Sequence, residues 1–132
     1  MAVAALVTWL LTALGGFFML GVWISRGGHR KEESRLPAPV AFGHLLLAAT
    51  GLILWILYLA FGNNVLAWIA LVLLVLVALL GFAMLARWIP VYRARATSVA
   101  PERAIPVVVV AGHGLFAVAT LVLVVIATLA GS

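Results

Sequence analysis

The chain has no cysteine, so histidine is its one good nitrogen ligand for a metal, and it has three: His29, His44 and His113. Two of them stand in apolar surroundings, His44 in "AFGHLLLAAT" and His113 in "VVVVAGHGLFAVAT". An imidazole inside hydrocarbon is costly unless it faces protein and has a partner, which makes both candidate functional residues. His29 lies in "RGGHRKEE", among glycines and charges, and reads as a solvated or headgroup-level side chain. The lack of cysteine also removes disulfides, thiolate zinc sites, iron–sulfur ligation and thiol nucleophiles.

The elements that must carry these histidines are membrane helices. Of 132 residues, 67% are hydrophobic and 8% charged, with a mean hydropathy of +1.33, well outside the range of a soluble domain. Apolar runs at residues 3–24, 40–61, 65–86 and 106–129 each approach the ~20 residues that cross a hydrocarbon core of ~30 Å. The fold class expected is therefore all-α, an integral membrane four-helix bundle. The first run has neither a basic leader nor a small-residue cleavage site after it, and reads as a retained helix.

"GNN" between the second and third runs predicts a tight reversal, whereas the other two connections are longer and polar. All eight Lys and Arg residues lie in or at the edge of those connections. The bias predicts that loops 25–39 and 87–105 are cytoplasmic and both termini extracytoplasmic, as in a plasma (inner) membrane protein. The net charge of +5 then points to anionic lipid headgroups and not to nucleic acid, since no polar domain carries it. Arginine favoured over lysine, with abundant Ala, Gly, Val and Leu, fits a bacterial source.

Shifting the second half onto the first by 69 residues superposes "ESRLPAPVAFGHLLLA" and "ERAIPVVVVAGHGLFA". Glu33 falls on Glu102, Pro37 on Pro106, Gly43 on Gly112, His44 on His113 and Arg26 on Arg95. The pattern suggests two repeated helical hairpins, halves 1–64 and 65–132, related by an axis along the membrane normal. Both histidines would then sit at one depth, each seven residues beyond a proline suited to a first helical turn, or about 10 Å in.

Two imidazoles at one depth on facing helices could ligate one metal from opposite sides. Haem iron needs only two axial ligands, whereas zinc asks for about four, and no further ligand stands nearby. His44, Ala48 and Gly51 form one stripe on their helix, and His113, Ala117 and Thr120 its counterpart. Ala48 and Ala117 leave room for a flat macrocycle, and Gly43 and Gly112 allow close approach. Small-residue packing between helices accounts for the same alanines. Arg26 and Arg95, with Arg30 and Arg87, are placed to meet the propionates, although topology and lipid contact also explain arginine there.

Trp23, Trp88 and Tyr92 are expected in an aromatic belt at the basic interface, and Trp9 and Trp68 nearer the other. Trp55 and Tyr58 are deeper and read as core. Nucleotide loops, HExxH zinc motifs and catalytic triads are missing, and the spans lack the polar or broken helices of a transporter.

On "GHLLLA" and "GHGLFA" the chain resembles small four-helix b-type membrane cytochromes that hold haem with histidines on different helices. The resemblance implies one bis-histidine haem b, within one chain or between two, ligated by His44 and His113. It implies single-electron transfer with a quinone or a partner redox protein. A structural or assembly subunit of a larger membrane complex, or a homodimer, is the other reading of so small a chain.

Overall fold

In hydrocarbon every backbone polar group must find its partner within the chain, so long apolar runs become helices. The computed structural model describes residues 1–131 and has four such helices. They are α1 (Ala2–Ser25), α2 (Ala38–Phe61), α3 (Asn64–Arg93) and α4 (Val107–Ala130), each long and apolar enough to cross a membrane. The fold is an all-α four-helix bundle, as expected.

The ends of the helices have local causes. Gly62 closes α2 in the left-handed region at φ +66°, a conformation that favours glycine, and Asn63 caps α3 by accepting the Val65 N–H on Oδ1 at 3.0 Å. Pro37 and Pro106 are the N-caps of α2 and α4, one position earlier than a first-turn proline, with nearly equal dihedrals of −63°, 128° and −65°, 133°.

Helix α3 runs to Arg93, beyond the expected limit at Ala86, and carries Pro90 in its last turns. Burial of Trp88 and Val91 holds these turns in place although Pro90 cannot donate a backbone hydrogen bond. The second connection also contains a short 3₁₀ helix, Pro101–Ala104, that the apolar pattern did not announce.

The helices form two tight pairs, α2 with α3 and α1 with α4, and touch more weakly between pairs. Exchanging α1 with α3 and α2 with α4 maps this arrangement onto itself, as an internal repeat of two hairpins requires. The diagonal helices α2 and α4 have no Cα atoms within 8 Å of each other.

The repeat has two registers. The 69-residue shift relates α2 to α4, but α1 and α3 correspond at 65 residues, where "ALGGFFMLGVWI" lies on "ALLGFAMLARWI". Gly16 then matches Gly81, Met19 matches Met84, and Trp23 matches Trp88. Trp88 and His113 are four residues farther apart than Trp23 and His44, three of them in the longer end of α3 and one in the second connection, which separates the registers. Arg26 and Arg95 were related by carrying 69 back into α1, and in the helical register of 65 that pairing dissolves.

The core is split. One cluster, at the "GNN" end, packs Ala5 and Trp9 of α1, Trp55 of α2, Ala67, Ala70, Leu71 and Leu74 of α3, and Val124 and Ala127 of α4. The other, at the basic end, packs Trp23, Trp88 and Ile105. Between them no residue of 10–22, 38–50, 78–87 or 107–119 is fully buried. The expected aromatic belts are corrected accordingly: Trp9, Trp23 and Trp88 are core, while Trp55 is core as expected and Trp68 is exposed, at 41%.

Candidate functional site: a histidine pair between two cores

His44 and His113 occupy the level at which the core is interrupted. Their imidazole centroids are 6.3 Å apart, with ring planes inclined by 51°. The two side chains therefore meet across the diagonal between α2 and α4, whose backbones stay apart.

Each ring is held by the helix packed most tightly beside its own. His44 Nδ1 lies 2.9 Å from the carbonyl oxygen of Val77 on α3, and His113 Nδ1 lies 2.8 Å from that of Thr12 on α1. A carbonyl can only accept, which assigns the proton to Nδ1 in both rings and leaves the lone pair of each neutral imidazole on Nε2. Neither Nε2 has a hydrogen-bond partner among the described residues. An Nδ1–H donated to a backbone carbonyl is the outer contact that commonly orients a metal-bound histidine.

Glycines make the space for both rings. A Cβ at Gly81 would stand 3.3 Å from Cε1 of His44, and one at Gly16 would stand 3.2 Å from Cε1 of His113. Gly15 adds a second smooth contact, 3.4 Å from the His113 Cβ. Val77 and Thr12, which supply the carbonyls, match at the same 65-residue shift as Gly81 and Gly16, so carbonyl, glycine and histidine recur as one unit. A single shift over the whole chain hides these glycines, whereas a search of each helix separately would have found them.

The other predicted residues divide. Gly43 and Gly112 precede the histidines and face open space, since an added Cβ would meet no heavy atom within 4 Å. Close helix packing is therefore not their role. Ala48 and Ala117 are half-buried. The ends of the two stripes turn into the core: Gly51 packs beneath Trp9, and Thr120 is buried 3.4 Å from the hydroxyl of Thr12.

Arg26 and Arg95 are both exposed and are not brought together. Arg95 lies over the Tyr92 ring at 4.3 Å and donates to the Tyr92 carbonyl at 3.0 Å, while Arg26 lines a cleft at the end of α1. His29 stays in its connection, edge-on to Trp23 with ring centroids 6.3 Å apart.

Below the pair, toward the basic end, lies a polar floor. Trp23 and Trp88 are each seven residues past the glycine that touches a histidine, about 10 Å along the helix. Trp23 Nε1 donates to Ser34 Oγ at 3.0 Å, and Trp88 Nε1 donates to the Glu102 carbonyl at 3.2 Å. The Glu102 carboxylate is fully buried and accepts from the Ser34 hydroxyl at 3.1 Å and from the Arg35 N–H. Of the two glutamates that the repeat superposes, Glu33 is exposed and Glu102 is buried. The acid instead ties the two long connections together.

With centroids 6.3 Å apart, the two imidazoles are near enough for both to serve one metal. Among the described residues no third His, Cys, Asp or Glu joins the pair, so the donor set is two nitrogens. Such a set suits a metal whose remaining ligands come with it. No family model, curated protein or solved structure matches this chain.

Proposed function

We propose that the chain is a b-type membrane cytochrome, or the haem-bearing subunit of a membrane redox complex, in which His44 and His113 would hold one haem b. The observation that carries the reading is the facing pair itself, with centroids 6.3 Å apart and both Nδ1 atoms engaged by carbonyls. Bound haem supplies a one-electron ferric–ferrous couple.

The chain's own residues do the rest. The Val77 and Thr12 carbonyls orient the imidazoles and fix the proton on Nδ1. Gly16 and Gly81 let the rings lie close to α1 and α3. The two cores above and below restrict water at this level. With His44 and His113 both holding the group, its role would be single-electron exchange with a quinone or a redox partner. The clustering of Lys and Arg in the two long connections supports a bacterial inner-membrane protein with those connections on the cytoplasmic side.

A second reading has its own observation. The same Nδ1 bonds join α2 to α3 and α4 to α1, so each histidine also serves as a polar tie within a tight helix pair. In a purely structural or assembly subunit that would be their whole task.

Absorbance spectra of protein purified after ample haem supply separate the two. A Soret band with reducible α and β bands, lost in His44→Ala and in His113→Ala, is the expected result. Protein that folds and carries no haem under those conditions leaves the structural reading.

A further inference from the structure

The basic end has a second feature, independent of the histidine pair. A cleft of about 430 Å³ opens between the end of α1 and the 3₁₀ helix, lined by Ser25, Arg26, Gly27, Lys31, Arg103 and the 99–101 strand of chain. We propose that this cleft binds the phosphate headgroup of an anionic phospholipid.

Three cations converge on the cleft from both long connections, and the fold brings them there against their mutual repulsion. Gly27, at φ +76°, folds the first connection back, and its carbonyl accepts from the N–H groups of Arg30 and Lys31 at 3.0 and 2.9 Å. Lys31 thereby lies across Gly27, its Cε 3.1 Å from the place a Cβ would take. On the opposite wall Arg103 faces the cleft while its neighbour Glu102 turns inward to Ser34 and Arg35.

The one acid of the second connection is thus removed from the cations beside it. No Asp or Glu lines the cleft, and among the described residues the side chains of Arg26, Lys31 and Arg103 have no ion pair or hydrogen bond. Three uncompensated donors around one opening suit a phosphate oxyanion, through charge-assisted bonds.

The surroundings favour a lipid over a soluble phosphate compound. Ser25 ends a membrane-spanning helix, so the cleft stands at headgroup level. Val99, on its rim, is 75% exposed, an apolar contact for the glycerol and upper acyl chain of a lipid.

The test uses the full chain in a neutral detergent at low salt. Dihexanoyl phosphatidylglycerol, dihexanoyl phosphatidylcholine and inorganic phosphate are titrated, with bound adducts read by native mass spectrometry. Phosphatidylglycerol is expected to bind about tenfold tighter than phosphatidylcholine, and the triple variant R26Q/K31Q/R103Q to lose about tenfold of that affinity. R30Q/R35Q/R93Q, which removes equal charge outside the cleft, is expected to lose no more than about twofold. Should the first triple variant lose helix content by circular dichroism, Lys31→Gln alone is expected to weaken binding about threefold. Equal losses in the two triple variants, or no preference for phosphatidylglycerol, would overturn the proposal. Inorganic phosphate that displaces the lipid at equal concentration would overturn it in favour of a soluble ligand.

Discussion

Gly16 and His113 interlock: the imidazole of one helix lies where the other helix has no side chain, and a Cβ there would stand 3.2 Å from Cε1 and 3.5 Å from Nδ1. Gly81 and His44 repeat the relationship across the bundle at 3.3 Å. A methyl group at either glycine must push a ring that is also held by its Nδ1 bond. Gly16→Ala and Gly81→Ala are each expected to cost about 1–3 kcal/mol of stability, as overpacking does. In haem-loaded protein they should also shift the Soret maximum or midpoint potential, and unchanged spectra and potentials would separate the glycines from the site.

The three histidines divide by place. His44→Ala and His113→Ala are expected to abolish low-spin haem binding, measured as the pyridine haemochrome per mole of protein, while His29→Ala retains it. Near-identical haem content in all three variants would remove the proposed ligand assignment.

Glu102→Ala removes the acceptor of the Arg35 N–H and leaves the Ser34 hydroxyl only the Leu36 carbonyl, in a part-buried setting. The expected loss is about 1–3 kcal/mol. Glu102→Gln keeps one oxygen acceptor and should cost less. Denaturation in a mixed-detergent titration reads both, and a Gln variant as damaged as the Ala variant would show that more than the hydrogen bonds is at stake.

Gly51→Ala tests packing away from the histidines. Its Cβ would approach the Trp9 ring to 3.1 Å within the core cluster at the "GNN" end. A loss of about 1–3 kcal/mol with an unaltered haem spectrum is expected. A changed spectrum would mean that the two core clusters move together.

Much of this was legible in residue type and spacing. Helix number and class follow from apolar run length, and the tight reversal from Gly62 and Asn63. The pairing of His44 with His113 was read from the matching contexts that precede them. The glycines opposite the histidines were not, because four additional residues between Trp88 and His113, three in α3 and one in the second connection, break the register that would have revealed Gly16 and Gly81.

The tryptophans were misplaced for a physical reason. An indole suits both a membrane interface and a core with an acceptor for its N–H, and only tertiary contacts such as Ser34 Oγ and the Glu102 carbonyl distinguish them. Arg26 and Arg95 were linked by a register that α1 and α3 do not share. The inward turn of Glu102 depends on the 3₁₀ helix, for which apolar periodicity carries no signal.

The pairing of α1 with α4 has a consequence for how the protein is made. The α2–α3 hairpin can close as soon as its second helix leaves the ribosome, because a tight turn joins its two arms. Helix α1 must wait for α4, through an interval of non-local contact formation that slows assembly. His113 is consequently the later member of the pair to arrive, and its docking against Thr12, Gly15 and Gly16 completes the pair.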